Sequence, residues 1–350
     1  MTVNEMRAGA SKQSPPATAI IESIVGAYTA QAICVIARLG VADALANGPR
    51  SVEVIARQVG ADDSALYRVL RAVGDAGVVA ELDDRRFVLT PLGEVLRSDV
   101  PGSLRAWATL IGMPFWQRPW SELNEAVRTG ETQFGRVNGM RFFDYLVENP
   151  DDADVFNAGF TSMYTSRNII GGYDLTRFGT IVDIGGGTGI VLAEILSTNP
   201  HLRGVLFDTP TAVAGAEAEL SKAGVADRCQ VVSGDVHDSV PTGGDVYLLS
   251  GVIHGSSDDQ AVEILSTCRA AMADTACLLI AETVLPDDSR PSIGKVMDLQ
   301  MLIFTDKGRF RTEAEFRSLL QRADFRTVRI VPSSDMVSLV EAVPNSSKTS

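Results

Sequence analysis

The chemically most informative stretch of the chain is a glycine-rich turn at residues 183–189, which reads DIGGGTG. A strand-like apolar run precedes it and a helical pattern follows from Ile190, so the turn stands at the N-terminus of a predicted helix. Glycines there let backbone N–H groups approach a ligand closely. A dinucleotide fingerprint counted from Gly185 requires a third glycine where Ile190 stands, so the pattern is instead D-x-G-x-G-x-G. Asp183, Gly185 and Gly187 are therefore predicted to bind a ligand.

Two more acidic residues follow the next two predicted strands. Asp208 ends the run that begins at residue 204, and Asp235 comes shortly after the run at 230–233. Open α/β sheets bind ligands at the carboxyl ends of their strands, where a carboxylate can accept hydrogen bonds from ribose hydroxyls or from an adenine amine. Either acid alone is equally typical of a turn residue. Combined with the glycine turn, the two acids predict a nucleoside-binding site.

His254 is the residue best suited to proton transfer. It follows the apolar run at 246–250 closely, whereas the other two histidines, His201 and His237, occur in polar loops. An imidazole with a pKa of about 6.5 can accept a proton at neutral pH, so His254 is predicted to be a general base. The alternative interpretation is a hydrogen-bonded structural histidine.

A parallel sheet is needed to position these residues, and the C-terminal half predicts one. After residue 179, apolar strand-like runs alternate with helical segments, a pattern typical of a sheet covered on both faces. The runs are residues 180–184, 204–207, 230–233, 246–250, 277–282 and 327–331. Residues 171–344 are therefore predicted to form a doubly wound α/β domain with a parallel sheet.

The N-terminal half is helical. Residues 1–18 are polar and are predicted to be a disordered lead, without the apolar segment of a signal peptide. Residues 19–105 show three helical segments and a hairpin, which is the winged-helix order, and residues 106–170 form a helical segment rich in aromatic residues. Such a segment is expected to line a pocket.

A winged helix raises the possibility of a DNA-binding regulator, which the charge pattern disfavours. Acidic residues outnumber arginines in the predicted recognition helix and wing, and the whole chain has a formal net charge of −13. We expect no nucleic-acid partner and, because no apolar run approaches the length of a membrane span, no membrane partner. Packing against a second copy is the preferred use of these apolar helices, so a homodimer through residues 20–100 is predicted. The four cysteines show no C-x-x-C pairing, which favours free thiols in a cytoplasmic protein without a metal site.

The chain resembles the small-molecule O-methyltransferases that use S-adenosylmethionine, typified by plant caffeate and flavonoid enzymes and by bacterial polyketide and anthracycline tailoring enzymes. The resemblance covers residues 20–342 and is carried by residues 182–189, 247–254, 268–272 and 311–316. It implies a Rossmann-like class I methyltransferase domain, an N-terminal winged-helix-like dimerisation domain, and an acceptor pocket between them. The implied reaction is methylation of a small hydroxylated aromatic or polyketide-type secondary metabolite, as in antibiotic biosynthesis.

The resemblance also implies roles for individual residues. His254 would take the proton of a phenol, and Glu282 matches the family's acid that orients this histidine. Val236 and Ser250 match the cofactor site. The acceptor pocket is expected to involve aromatic and sulfur-containing residues that are equally typical of a core, namely Phe156, Phe160, Met163, Met301, Thr305 and Phe310.

The chain departs from the family pattern at two places near the histidine. His254 is followed by Gly255-Ser256 where the family usually has Asp-Trp, and Phe310 stands where a second acid usually precedes Arg311-Thr312. The histidine would thus lose one carboxylate and gain an apolar neighbour. The departures leave open an alternative function, in which the fold keeps its cofactor but carries out decarboxylation, hydroxylation or a pericyclic reaction.

Overall fold

The computed structural model describes residues 15–165, 169–170, 172–333 and 336–345. The chain divides into two units between Met113 and Pro114. The predicted boundary lay at residue 105, and the predicted linking segment 106–170 is shared between the two units. Residues 1–14 of the predicted disordered lead lie outside the described residues, and its residues 16–18 belong to the first helix.

The N-terminal unit has the predicted order of helices followed by a hairpin. Its elements are α1 (Pro16–Leu39), α2 (Val41–Leu45), β1 (Arg50–Ser51), α3 (Val52–Val59), α4 (Asp63–Asp75), β2 (Val79–Leu82), β3 (Arg86–Leu89), α5 (Pro91–Glu94) and α6 (Arg105–Ile111). The Asp62 side chain caps α4 by accepting from Ala65 N, and α4 buries Leu66, Leu70 and Val73. Strands β2 and β3 pair antiparallel, with β1 on the other edge of β3.

Helix α1 contributes only its C-terminal part to the core of this unit, through Cys34, Ile36 and Ala37. Its N-terminal half exposes a row of large apolar side chains, Ile20, Ile21, Ile24, Val25 and Tyr28. By length and composition this helix could cross a membrane, so the expectation that no apolar run approaches a membrane span was wrong. A single such helix is weak evidence for a membrane, because partner-covered and signal helices have the same properties.

The C-terminal unit alternates strands and helices after a helical start. Its elements are α7 (Pro114–Gln117), α8 (Leu123–Thr129), α9 (Phe134–Asn138), α10 (Phe142–Glu148), α11 (Pro150–Thr165), β4 (Thr180–Ile184), α12 (Ile190–Thr198), β5 (Arg203–Asp208), α13 (Ala216–Lys222), β6 (Cys229–Ser233), β7 (Val246–Ser250), α14 (Asp258–Ala271), β8 (Cys277–Glu282), β9 (Val284–Leu285), α15 (Ile293–Phe304), β10 (Arg311–Thr312), α16 (Glu313–Arg322), β11 (Phe325–Pro332) and β12 (Ser338–Pro344).

Seven of these strands form one sheet in the order β11-β12-β8-β7-β4-β5-β6. Strands β4 to β8 are parallel, but β12 runs antiparallel to β8 and β11 antiparallel to β12. The prediction of a wholly parallel sheet was therefore wrong at one edge, and β12 was not predicted at all. An antiparallel pair needs only a short connection, which lets the last two strands form a hairpin without a helix between them.

The strand order reverses between β4 and β7, where the chain returns from β6 to the other side of β4. Side chains alternate between two apolar layers: Val182 and Leu249 face the layer with α14 and α16, while Ile181 and Leu248 face the layer with α12 and α13. Both faces are thus covered, and the carboxyl ends of β4 and β7 form the switch point at which such sheets bind ligands.

Candidate active site

The glycine turn between β4 and α12 is hydrogen-bonded to the carboxylate of Asp208 at the end of β5. Gly187 adopts φ 57°, and its N–H donates to Asp208 Oδ2 at 2.8 Å, while Thr209 N donates to Oδ1 at 2.7 Å. Gly185 N donates to the carbonyl of Phe207 at 2.7 Å. A Cβ built at Gly187 would meet no atom within 4 Å, so this face of the turn is open. The structure therefore brings Gly185, Gly187 and Asp208 together.

Two buried polar groups lack protein partners beside this turn. Both carboxylate oxygens of Asp183, at 0% exposure, and the hydroxyl of Ser250 make no hydrogen bond to the described residues. Asp183 lies on β4 and Ser250 ends β7, so both occupy the switch point. Burial, followed by the negative charge of Asp208, raises the pKa of Asp183 to about 7. Unpaired buried polar groups are costly, so a ligand that brings a cation and hydrogen-bond donors fits this pair.

Asp235 and Val236 lie in the loop after β6. Asp235 is exposed, and its Oδ1 accepts from His237 N at 2.9 Å, a local turn contact. Val236 is half-buried and packs against the apolar layer beneath the loop. The structure thus shows the turn role that the sequence left open for Asp235, with a carboxylate still accessible to a ligand.

His254 stands in a short 3₁₀ turn, Ile253–Gly255, after β7. Its Nδ1 lies 2.7 Å from Oε2 of Glu282, the last residue of β8. Glu282 is 3% exposed, and its other oxygen accepts from the backbone N–H groups of Ile253 at 2.9 Å and His254 at 3.2 Å. One buried carboxylate therefore fixes both the imidazole and the backbone that carries it.

The histidine turn lies next to the glycine turn. A Cβ built at Gly185 would stand 2.7 Å from Cγ2 of Val252, two residues before His254. The loops after β4 and β7 therefore contact each other at the switch point, and His254 follows this contact by two residues.

Several charges compete over the pKa of His254. Burial lowers it, while the charge and hydrogen bond of Glu282 raise it; Arg311 lowers it and Asp298 raises it. The net pKa lies above the ordinary value. The Phe310 ring contacts the imidazole edge-on, with ring centroids 5.5 Å apart. Phe310 is the apolar neighbour of His254 that the sequence predicted. The effect of the Asp298 carboxylate on His254 was not predicted from the sequence.

Arg311 is the most deeply buried charged residue that sequence reasoning left without a role. It is 0% exposed and donates to the carbonyls of Ile253 at 2.9 Å and Ser256 at 2.7 Å, and to Asp258 Oδ1 at 2.9 Å. Parallel pairing of β10 with β9 brings it to the end of β8. The histidine turn is thus held at its N–H groups by Glu282 and at its carbonyls by Arg311.

The predicted acceptor residues fall into different surroundings. Phe156 and Phe160 are half-buried with ring centroids 4.6 Å apart, and both contact Trp116, which stacks on Phe304 at 4.2 Å. Met163, Met301 and Phe310 are buried. Thr305 donates its hydroxyl to the Met301 carbonyl at 2.7 Å. Trp116 and Phe304 extend the aromatic cluster and were not predicted as site residues; the aromatic richness of the segment was the available signal.

A doubly wound sheet, a glycine turn closed by an acid and a histidine at the switch point define a class I S-adenosylmethionine-dependent methyltransferase. The chain belongs to the O-methyltransferase family, because residues 120–326 match the O-methyltransferase domain and residues 21–99 match the O-methyltransferase dimerisation domain. The predicted family, fold class, enzyme class and cofactor are thereby confirmed.

Relatives with described activities extend over nearly the whole chain. It is 39% identical over 347 residues to the phenazine O-methyltransferase PhzM of Lysobacter antibioticus, covering 98% of this chain and 100% of that protein. It is 36% identical to the 8-amino-8-demethylriboflavin N,N-dimethyltransferase of Streptomyces davaonensis, covering 87% and 89%. The structure of CalO1, a methyltransferase in calicheamicin biosynthesis in its SAH-bound form, aligns with TM-score 0.83 and 32% identity over 94% of this chain and 98% of that one.

Proposed function

We propose that this enzyme transfers a methyl group from S-adenosylmethionine to a hydroxyl of a small aromatic metabolite, with His254 as the general base. The observation that carries the proposal is the 2.7 Å contact between His254 Nδ1 and buried Glu282, directly beside the glycine turn. A fixed imidazole serves a hydroxyl acceptor, which must lose its proton as its oxygen becomes methylated. The relatives include both O- and N-methyltransferases, and this pair favours oxygen.

Glu282 determines which nitrogen of His254 is free. A carboxylate accepts only, so Nδ1 carries the hydrogen and Nε2 keeps its lone pair for the acceptor hydroxyl. When the proton arrives at Nε2, the imidazolium is stabilised by the same carboxylate, which is consistent with the raised pKa. The protein's contribution is therefore a correctly oriented base and a fixed position for the acceptor.

The residues proposed to bind the cofactor are those around the open face of the glycine turn. We propose that Asp183, Gly185, Gly187 and Ser250 surround the amino-acid part, and that Asp208 receives the ribose hydroxyls and Asp235 and Val236 the adenine. S-Adenosylmethionine supplies an electrophilic methyl group on a sulfonium, and its ammonium provides the cation that buried, unpaired Asp183 lacks. Asp208 already holds Gly187 N, so a ribose there would share a carboxylate that is fixed in place.

For the acceptor we propose a planar aromatic or polyketide-type metabolite of an antibiotic pathway. Phe156 and Phe160, with Trp116 and Phe304 behind them, offer ring surfaces suited to such a molecule, and Met163, Met301 and Phe310 complete an apolar lining. Thr305 supplies the polar group of this set.

The test is a methylation assay with labelled S-adenosylmethionine against phenols, catechols, hydroxyphenazines and polyketide quinones, with products read by mass spectrometry. His254→Ala should lower kcat roughly 10²- to 10⁴-fold while leaving cofactor affinity unchanged. His237→Ala is the matched control, since His237 is exposed and its ring Nδ1 lies 3.9 Å from Glu263 Oε2, compared with 2.7 Å between His254 Nδ1 and Glu282 Oε2. Turnover without gain of a methyl group, or wild-type kcat in His254→Ala, would contradict the proposal.

We further propose that the enzyme is a cytoplasmic homodimer with a winged-helix-like N-terminal unit. The exposed apolar row of α1 lies mostly within the matched dimerisation domain, and a second copy is the occupant we expect there. Four free cysteines support a reducing compartment. Light scattering at micromolar concentration should give twice the mass of one chain, and a monomeric mass would refute the dimer.

A further inference from the structure

A carboxylate on α15, Asp298, acts on the charge of His254 in addition to Glu282. Asp298 is half-buried, and its Oδ1 accepts from the backbone N–H of Phe310 at 2.5 Å. The Phe310 ring stands edge-on to the imidazole of His254, at 88° between the ring planes. Asp298 therefore holds the backbone of the residue that packs against the base.

The charges that face His254 come from three elements. Glu282 ends β8, Arg311 begins β10, and Asp298 lies in the middle of α15. The acids that neighbour this region are already paired: Asp258 with Arg309 and Arg311, and Asp259 with Arg322. Asp298 forms no salt bridge within the described part of the chain, and its negative charge raises the pKa of His254.

Position 310 is also where the family pattern expects an acid and this chain has phenylalanine. Asp298 binds the backbone N–H of this same residue 310, so a carboxylate is attached to the position at which the family's acid stands. Loss of the acid at 310 therefore does not leave His254 with Glu282 as its sole carboxylate.

We propose that Asp298 is a positioning residue for His254 and replaces the missing acid: its carboxylate fixes Phe310 against the imidazole, and its charge stabilises the imidazolium. The inference rests on the proposed role of His254 as base. The protonation of His254 can nevertheless be measured without turnover, so the two ideas can fail separately.

The experiment titrates the histidines by NMR in the intact enzyme and in Asp298→Asn. The chain has only three histidines, and the signal lost in His254→Ala identifies the one of interest. Asparagine keeps an oxygen for Phe310 N and removes only the charge, so the His254 titration should move to lower pH. The acid limb of kcat/KM should move with it, and plateau kcat should fall about 3- to 10-fold because a weaker base accepts the proton less readily. The KM of the acceptor should stay unchanged.

Three further variants decide the outcome. Asp259→Asn alters an exposed acid that lines, together with Asp298, a cavity of about 580 Å³, and it should change neither the His254 titration nor kcat. Asp298→Glu should keep the acid limb of the kcat/KM profile at the wild-type pH. Phe310→Glu in the Asp298→Asn background should return the titration toward wild type. An unmoved His254 titration in Asp298→Asn, or no recovery in the double variant, overturns the inference. A moved titration combined with full activity of His254→Ala overturns the proposed base and leaves standing only the effect of Asp298 on the protonation of His254.

Discussion

Replacing Glu282 by glutamine should nearly abolish catalysis without removing any side-chain volume. Glu282 accepts three hydrogen bonds: two backbone N–H groups, of Ile253 and His254, on Oε1, and His254 Nδ1–H on Oε2. A glutamine has one acceptor oxygen and one donor amide. Two backbone donors outweigh one imidazole contact, so the oxygen stays with Ile253 and His254 and the amide turns toward Nδ1.

The magnitude follows from that orientation. Nδ1 must then accept, which places the ring hydrogen on Nε2, where the substrate proton should arrive. Forcing the productive tautomer leaves a buried donor unpaired at about 1–3 kcal/mol, a factor of roughly 5 to 150. Loss of the charge that stabilises the imidazolium adds to this, giving a fall in kcat of about 10²- to 10⁴-fold, the range for a lost general base.

Steady-state methylation and its pH profile provide the assay, with Glu263→Gln at an exposed position as control. Residual activity should show its acid limb at lower pH, because Glu282 is the main charge that raises the pKa of His254. The double variant His254→Ala/Glu282→Gln should be no slower than His254→Ala, since the two residues act as a unit. A kcat within about 5-fold of wild type in Glu282→Gln, or additive losses in the double variant, would refute the reasoning.

Three other outcomes are expected. Arg311→Lys, which keeps a charge but cannot bridge the carbonyls of Ile253 and Ser256, should destabilise the protein by roughly 1–3 kcal/mol for each carbonyl left unpaired, seen as a lower Tm, and should slow turnover; an unchanged Tm would contradict this. Near pH 7, cofactor binding should release about half a proton from Asp183, because its pKa of about 7 falls when a cation binds beside it. Calorimetry in buffers of different ionisation enthalpy measures this proton release, and Asp183→Asn should abolish the release. Gly187→Val should abolish the Tm increase caused by S-adenosylhomocysteine, since valine is strained at φ 57° and projects into the open cradle; a retained increase would show that the turn does not bind the ligand.

The raised pKa of Asp183 also makes the stability of the folded protein depend on pH. Its folded-state pKa is raised above the ordinary value, so the folded protein holds this proton more tightly than the unfolded chain does. Stability without cofactor should therefore decrease as pH rises from about 4 to about 7, and the cofactor should offset that loss.

Sequence reasoning located the residues whose positions are set by local pattern. The glycine turn, Asp208 and His254 each follow a recognisable apolar strand, and parallel pairing brings strand ends together automatically. Strand β12 was missed because its place in the sheet depends on antiparallel pairing with β8, and the sequence pattern of β12 itself does not indicate that pairing. Asp298 was missed for a related reason: in a helix its one-letter context is ordinary, and its role depends on a backbone N–H twelve residues later.

Arg311 shows most clearly why the histidine turn could not be derived from its own sequence. The turn at Ile253–Gly255 is too short to fix itself, so it takes its shape from two charged residues of opposite sign. Glu282 holds the N–H groups, and Arg311, which lies 58 residues after Ile253, holds a carbonyl of the same segment. Glu282 raises the pKa of His254 and Arg311 lowers it. The two residues that fix the position of the base therefore also partly cancel each other's effect on the pKa of the base. A second carboxylate in the place of Arg311 could not hold that carbonyl, because an ionised carboxylate has no hydrogen to donate, so the segment needs one acidic and one basic partner.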